Sequence, residues 1–492
     1  MKDIPRTIED ILAIEDIGLR IEYLKKGRRT PLPDTAQNYK DWSPKEHDIM
    51  NESKVKNIRV MVEAEKTTFD EKTGKTVTVP AKYEEKKPNR IALPLEQDIV
   101  NIQTAFTVGL EPRLDCDVND SKEDAVLSAV KGIFKTNKLK YLNRKEVRSW
   151  LSEQDVAEYW YKVEDDSFWA RLKRKVADIF GSAKPKYKMK CAVWSPFRGD
   201  VLYPFFDDNG DMVAFSRSYK MRDYAGNEHE CFMVITKTNV YLYELDGSWR
   251  LVPEKSFVHG FKKLPVIYTG RSDAYCAKIR SVRERLEKTL SGYADCIDNH
   301  YFPKLMLFGE LENLMGGDAR NIMLQMQGEG ADARYLTWNQ SADPIKTEID
   351  TYFNQAYALT NTPRISFDQI KGTTALSGVA FRYVFMSAHM AVANHGEELG
   401  EFFQRRVNFL VSAVGTLNTS LQEAANSIGI DVEIQPFIID SDADKVNTAV
   451  AAVSGGVWST EHGVAYCSDY GELKDELDAI REEKAAGDVE GE

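Results

Sequence analysis

The chain reads as a helix-rich α+β protein, and three observations predict this. Apolar residues recur at helical spacing over long stretches, the longest running from Ser377 to about Gly415. Between residues 191 and 268 short alternating or apolar runs take over, separated by the turn signals Asp208-Asn209-Gly210, Ala225-Gly226-Asn227 and Asp246-Gly247-Ser248. With 492 residues the chain has room for about three units and for large cores that need no staples.

Composition narrows the function classes. The net charge of −12 argues against a protein that grips nucleic acid over its whole surface, which would be basic. It leaves room for a protein that DNA slides past, since each strong phosphate contact adds salt-sensitive affinity. It also suits an ordinary cytoplasmic protein. Six cysteines, Cys116, Cys191, Cys231, Cys276, Cys296 and Cys467, follow no framework and contain no CxxC pair, so reduced thiols are expected. A cleavable signal, an apolar 18-mer and a lipidation motif are all missing, so secretion by a signal peptide and stable membrane insertion are not expected.

In chain order, IEDILAIEDIGLRIEYLKKG predicts one amphipathic helix closed by Gly27, and RRTPLPDTAQNYKDW a loop. Together they form an arm expected to pack on the body or on a neighbour. Residues 56–85 predict a hairpin about a turn at 70–74. Thr73-Gly74-Lys75-Thr76 imitates the end of a phosphate-binding loop, but Phe69 stands where that motif needs glycine, and a strand-like run follows. A helix is expected from near Leu95, with Ile99, Ile102, Phe106 and Leu110 as its stripe, ended by Gly109 and Pro112. Two more helical patterns fill 121–162, the second running through Val147, Trp150, Leu151, Val156 and Trp160.

Residues 165–190 form the one strongly basic segment, with eight cations against Asp178 from Phe168 to Lys190. Phe168, Trp169, Leu172, Val176, Ile179 and Phe180 share a helical face. Arg171, Lys173, Arg174 and Lys175 are therefore candidate contacts to DNA or to a partner. A membrane surface, or simple packing against the body, are the other readings. The β-rich block that follows predicts a meander or small barrel.

From Pro265 to Ser412 the pattern changes. Asp273 caps a predicted rod in which Ile279, Val282, Leu286, Leu290, Tyr293, Ile297 and Tyr301 make one stripe, closed by Pro303. At about 28 residues it would reach roughly 40 Å. Lys278, Arg280, Arg283, Glu284, Glu287, Lys288 and Asp295 fall on the opposite face, a mix of charges that suits a helix standing in a ring of copies. KLMLFGE and ARYLTW read as strands of a small α/β insertion, with turns at Gly316-Gly317 and at Gly328-Glu329-Gly330. A second helix is capped by Asp343, has Pro344 at its first position and stops at Pro363. The segment from Phe367 to Ser377 offers Gly and hydroxyl residues with a single cation, Lys371, as a mobile, hydrated loop or a plain connection. The long helix after it has Phe381, Phe385, Met390, Leu399, Phe402, Val407, Leu410 and Val414 inside, and Gly396 and Gly400 as possible kink sites. VEIQPFIID predicts a strand, and residues 441–463 a helix, a Gly-Gly turn and a second helix capped by Ser459. A further helix at 473–484 precedes an acidic tail expected to be disordered. Two rods, a β cap and a supple loop read as the wall of a channel when copies gather. Ordinary surface helices of a large globular domain are the competing reading.

Catalytic signatures are missing. The sequence holds no GxGxxG, intact phosphate loop, HExxH or GxSxG. His389 and His395, the only histidines close in sequence, lie some 120° off a common helical face and make a poor metal pair. No cofactor, metal or catalytic residue is nominated.

With these residues laid out, the order of elements resembles the tailed-bacteriophage portal proteins, the head-to-tail connectors. The resemblance covers about residues 88–485. NRIALPLEQDIVNIQTAFTVGLEP is similar to the family's early helix, and VHGFKKLPVIYTGRSD to the approach to its stem. IRSVRERLEKTLSGYADCIDNHYFPKLMLFGE resembles the first stem helix entering the clip. NTPRISFDQIKGTTALSGVAFR resembles the end of the second stem helix, the tunnel loop and the start of the long helix. VNTAVAAVSGGVWSTEHGVAYCSDYGELKDELDAIREEK resembles the crown. The collinear succession is more specific than any one of these pieces.

The resemblance implies a portal-type subunit: arm and β-rich wing at 1–268 with a basic insertion at 165–190, stem helix at 269–302, clip at 303–342 and second stem helix at 343–363. A tunnel loop at 364–378, a long kinked helix and wing return strand at 379–440, a helical crown at 441–485 and a tail at 486–492 follow. It implies a non-enzymatic ring, typically a homododecamer, at one capsid vertex of the virion, assembled in the host cytoplasm. Double-stranded DNA would enter and leave through it. Its partners would be the terminase large subunit, the major capsid protein and scaffold, and a head-completion adaptor. Gln369, Lys371, Thr373 and Thr374 match the tunnel-loop position and would face DNA, with Gly372 and Gly378 as hinges. The basic insertion departs from the family's core. The alternatives are a cytosolic nucleic-acid-processing enzyme with an unrecognised site and another capsid or scaffold component.

Overall fold

A computed structural model describes residues 7–63, 65–70, 75–164, 187–300, 304–315, 323–336, 343–364, 385–437, 442–467 and 477–481. Within these the fold mixes helices and antiparallel sheets, as expected of a helix-rich α+β chain.

The arm holds three short helices, α1 (Ile8–Leu12), α2 (Ile17–Lys25) and α3 (Thr35–Trp42). The single helix expected here is broken because Asp16 caps α2 by accepting from the Leu19 amide at 3.2 Å. The expected loop likewise contains α3, capped by Asp34 on the Gln37 amide at 3.0 Å. Ile8, Ile11, Ile21 and Leu24 bury themselves on the body against Tyr203, Phe232 and Tyr243. Arg28 then clamps Asp155 with contacts of 2.6 and 3.1 Å, and the Tyr268 hydroxyl donates to the same carboxylate at 2.9 Å.

The predicted hairpin is a nested pair of ribbons. Strand β1 (Ile58–Glu63) pairs with β4 (Lys82–Lys86), and β2 (Lys66–Asp70) with β3 (Lys75–Val79). Helix α4 (Leu95–Val108) follows as expected, then β5 (Arg113–Asp115), α5 (Ser121–Asn137) and α6 (Leu139–Glu153). The sequence pattern overran here. Helix α6 stops at Gln154, whose φ of 76° turns the chain, so Val156 and Trp160 belong to strand β6 (Asp155–Glu164). Both are nevertheless fully buried.

Strand β6 sits between β7 (Tyr187–Trp194) and β14 (Val266–Gly270) in a three-stranded sheet. The predicted meander is β8 (Val201–Phe206), β9 (Met212–Arg222), β10 (Glu228–Thr236), β11 (Asn239–Asp246) and β12 (Ser248–Leu251), with β13 (Phe257–Val258) added to β11. The three expected turns join its strands, and Gly210, Gly226 and Gly247 all hold positive φ there.

The rod is helix α7 (Arg280–His300), preceded by a tight turn at Ala277–Ile279. It is shorter than expected because Asp273 lies ahead of that turn instead of capping the helix. The insertion is a ribbon of β15 (Lys304–Met315) and β16 (Met323–Leu336), and it has no helix among the described residues. Gly328-Glu329-Gly330 is not a turn. It lies inside β16 opposite a break in register between Phe308 and Glu310, a bulge that absorbs the glycines. Helix α8 (Asp343–Leu359) returns beside α7. Tyr275 meets Thr360 and Arg285 meets Glu348, so positions advance in opposite directions and the pair is antiparallel.

Helix α9 (Met386–Leu417) is continuous through Gly396 and Gly400 and packs on α4, α5 and β14. Phe385, Leu399, Phe402, Val407, Leu410 and Val414 are buried as expected, whereas Met390 is exposed. A short helix α10 (Gln422–Ser427) follows; of the expected strand at 432–440, Val432 and Glu433 lie in β17 (Asp431–Glu433), paired with β5, residues 434–437 are not strand, and 438–440 lie outside the described residues. Helices α11 (Asp442–Ser454) and α12 (Thr460–Cys467) flank Gly455-Gly456, and Ser459 Oγ accepts from the His462 amide at 3.1 Å. Among the described residues no helix is long and apolar enough to cross a membrane.

Candidate functional site

Gln369, Lys371, Gly372, Thr373, Thr374 and Gly378 all fall in 365–384, and Arg171, Lys173, Arg174 and Lys175 in 165–186; both segments lie outside the described residues. The structure does define the two points from which 365–384 departs and to which it returns. Helix α4 holds both.

The departing end is fixed by hydrogen bonds. Helix α8 finishes at Leu359, and Asn361 takes a left-handed φ of 46°, a conformation asparagine tolerates at a helix end. Gln103 Nε2 then donates to the carbonyls of Thr360 and Asn361, each at 3.1 Å, and to Thr362 Oγ1 at 2.8 Å. The Tyr275 hydroxyl adds a 2.5 Å bond to the Thr360 carbonyl. Thr360 is fully buried, so its carbonyl depends on these partners in place of water.

The returning end is fixed by rings. Phe106, one turn after Gln103, lies 5.5 Å from Phe385, 6.2 Å from the His389 ring and 6.3 Å from Phe437. Phe385, Ala388 and Val392 share its apolar pocket. One position further, Thr107 Oγ1 reaches His395 Nδ1 at 3.3 Å. Burial depresses His395 to about 3, with Arg271 and Lys278 adding to the effect, so it stays neutral. The same face of α4 thus carries the hydrogen-bonding and the aromatic mount.

The root of α7 is built differently from expectation. Arg283 and Glu287, placed opposite the apolar stripe by periodicity, are each 1% exposed. An extended segment covers that face. Asn89, Ile91 and Leu93 present alternate amides to Asp295, Ser291 and Glu287 at 2.8, 3.0 and 2.8 Å. Two residues of strand and one helical turn advance almost equally, about 6 Å, which lets the two zip together. Arg283 reaches Glu96 at 2.8 Å and Asp41 at 3.3 Å, and His47 Nδ1 meets Glu287 Oε1 at 2.6 Å.

Two groups here titrate in the same sense. Burial raises Glu96 to about 7, against the pull of Arg283. For His47 burial is the largest effect and opposes the charge, but the bond to Glu287, the Asp41 carbonyl and the Glu287 charge together outweigh it and hold His47 above its ordinary value of 6.5. In both cases the folded chain keeps a proton that the unfolded chain releases, so stability falls as pH rises. The loss from Glu96 runs from pH 4.5 to about 7, and that from His47 begins above 6.5. Glu96→Gln is therefore expected to flatten the fall in melting temperature between pH 5 and pH 7. A melting curve merely displaced, with the pH slope unchanged, would show that Glu96 carries none of it.

Deeper in the body Arg406, 2% exposed, joins α9 to α6 and β6. Its Nη2 binds Glu146 Oε2 at 2.6 Å and also Glu158, its Nε binds Glu158 at 2.7 Å, and its Nη1 donates to Asn143 at 2.6 Å. Burial opposes the charge, yet Glu158 and Glu146 hold Arg406 above its ordinary value. Burial, reinforced by Glu158, pushes Glu146 far up. Glu146, Glu158 and Cys191 stand close enough together to ligate a metal ion, but the guanidinium already bridges both carboxylates. The cluster is a brace.

Sequence reasoning passed over Gln103 and Arg406. Both interrupt buried apolar stripes, Gln103 between Ile99 and Phe106, and Arg406 between Phe402 and Leu410. A polar residue at an interior position was the available signal.

The family model described as phage portal protein, SPP1 Gp6-like, matches residues 22–489. No curated protein matches the chain. Among solved structures, the chain is similar to one from the neck of an empty GTA particle computed with C6 symmetry, at 11% identity and a TM-score of 0.43, covering 76% of this chain and 90% of that one. It is also similar to one from the virion of a native gene transfer agent particle, at 11% identity and a TM-score of 0.32, covering 74% and 85%.

Proposed function

This chain belongs to the SPP1 Gp6-like family of phage portal proteins, and from that membership we propose that its copies form a ring around a DNA channel at one capsid vertex of the virion. The match over residues 22–489 supports this reading, because it runs through α7, α8, the β15–β16 ribbon, α11 and α12 alike. In it, α7 and α8 are the stem, the β15–β16 ribbon is the clip, and α11 and α12 belong to the crown. Residues 364–378 are the tunnel loop, presented to the channel by the Gln103 and Phe106 mounts. Double-stranded DNA passes inward during packaging and outward during ejection.

The ring performs no chemistry of its own. The terminase large subunit docks on the clip and supplies the work, a head-completion adaptor later takes its place, and the wing meets the major capsid protein and scaffold. Assembly takes place in the host cytoplasm. The sharpest test is an image of the purified protein together with its solution mass. An annulus near about twelve times 55.9 kDa is expected, and a compact particle without an opening would overturn the reading.

Within that reading Lys371, the single cation among the loop candidates, faces the phosphates with Gln369, Thr373 and Thr374, while Gly372 and Gly378 let the loop move. Lys371→Glu is expected to reduce packaged DNA while leaving rings intact. Unchanged DNA content in that variant would remove the loop assignment without touching the ring.

A further inference from the structure

A cleft of about 640 Å³ opens between α5, α6, β5, β17 and α9. Its rim carries Lys131, Lys135, Lys138 and Lys140, with Glu111 as the opposing carboxylate. Among the described residues none of the four lysines forms an ion pair, although acidic groups outnumber basic ones in the chain by 77 to 65. The positive field comes from the side chains, because the C-terminal end of α5 and the N-terminal end of α6 meet at Lys138 and their dipoles oppose each other. Helix α6 begins in the cleft without a side-chain cap, and its first turn holds Lys140 in place of any acidic residue, so an incoming anion meets no carboxylate there. Lys138, in a left-handed conformation with φ 53°, forms the corner between α5 and α6 and keeps both lysine-bearing ends on the same rim.

The floor decides what kind of anion fits. It is mostly apolar, made by Leu114, Phe134, Phe403, Val407 and Val432, with Asn143 and Arg406 of the buried brace beside them. A nucleic-acid backbone would use the lysines and gain nothing from such a floor. We propose that this cleft is a docking groove for an acidic segment of a partner protein that also carries apolar side chains. The carboxylates meet the lysine rim, and one or two apolar side chains enter the cleft. Charge complementarity brings the segment in and apolar burial holds it there. This assignment does not depend on the ring.

The test uses the full-length protein as purified and three fluorescent probes: a peptide of alternating acidic and Leu or Phe residues, a polyglutamate of the same length, and a short DNA duplex. The mixed peptide is expected to bind at least about tenfold more tightly than polyglutamate, the difference one buried apolar side chain supplies. Lys135→Glu with Lys140→Glu should abolish its binding. Lys122→Glu with Lys45→Glu, an equal change of charge on exposed residues elsewhere, should leave it intact. Equal affinity for the two peptides, preference for the duplex, equal loss in both variants, or no binding at all would each overturn the proposal. Because the exchanged lysines are exposed, a circular dichroism spectrum matching the parent confirms that loss of binding is not loss of fold.

Discussion

Arg406→Ala is expected to be the most damaging single substitution in the body, costing about 3–5 kcal/mol. The side chain contributes four hydrogen bonds to Glu146, Glu158 and Asn143 while itself only 2% exposed. Removing it leaves two carboxylates buried a few ångströms apart with no counter-charge. Burial and Glu158 already push Glu146 upward with the arginine present, so without it Glu146 should hold its proton well into the neutral range. The pH dependence follows. The folded variant would bind more protons than the unfolded chain, whose carboxylates ionise near pH 4.5, so its stability should fall as pH rises. Melting temperatures of variant and parent should therefore lie closer at pH 5 than at pH 8. A gap that stays constant with pH would mean that the loss is one of packing alone. Arg406→Met combined with Glu146→Gln and Glu158→Gln should recover most of the stability, because a buried ion cluster is costly mainly when only half of it is removed.

How much of this could be read from residues alone depended on what each pattern measured. Helical period located α4, α5, α7, α8 and most of α9, because their stripes face a core with one dominant side. It failed where a second element covers the other side. Arg283 and Glu287 lie opposite the apolar stripe of α7 and are buried only because residues 89–93 lie over them. Nothing local in either segment encodes that contact. Val156 and Trp160 fit a helix extended from α6, and the chain reversed at Gln154 through a positive φ that a glutamine does not advertise. The arm was misread for the opposite reason. Asp16 and Asp34 are capping residues in plain view, but apolar spacing runs on through one cap and the polar run around the other resembles a loop. The mount of 365–384 was half legible. Phe106 stood in the predicted stripe of α4, while Gln103 needed the knowledge that three exposed-looking positions at Thr360–Thr362 return to it across the fold.

Phe106→Ala is expected to separate the function of the mount from the stability of the body. Phe→Ala in a buried site costs about 3–5 kcal/mol, and this one empties the space shared with Phe385, His389 and Phe437. The returning end of 365–384 would lose its fixed position, while the Gln103 bonds at the departing end, one turn away, would remain. Ile99 lies on the same helix, is equally inaccessible, and faces the main core instead of the mount. Ile99→Ala therefore provides a comparison of similar kind, costing about 2–5 kcal/mol. If α4 positions the loop for DNA, Phe106→Ala should lower packaged DNA much more than Ile99→Ala at a temperature where both variants still form rings. Gln103→Ala should act in the same direction through the other end, by removing the bonds that tie the Thr360 and Asn361 carbonyls and the Thr362 hydroxyl to α4. Equal packaging by the Phe106 and Ile99 variants would reduce α4 to a core helix that happens to lie beneath the loop.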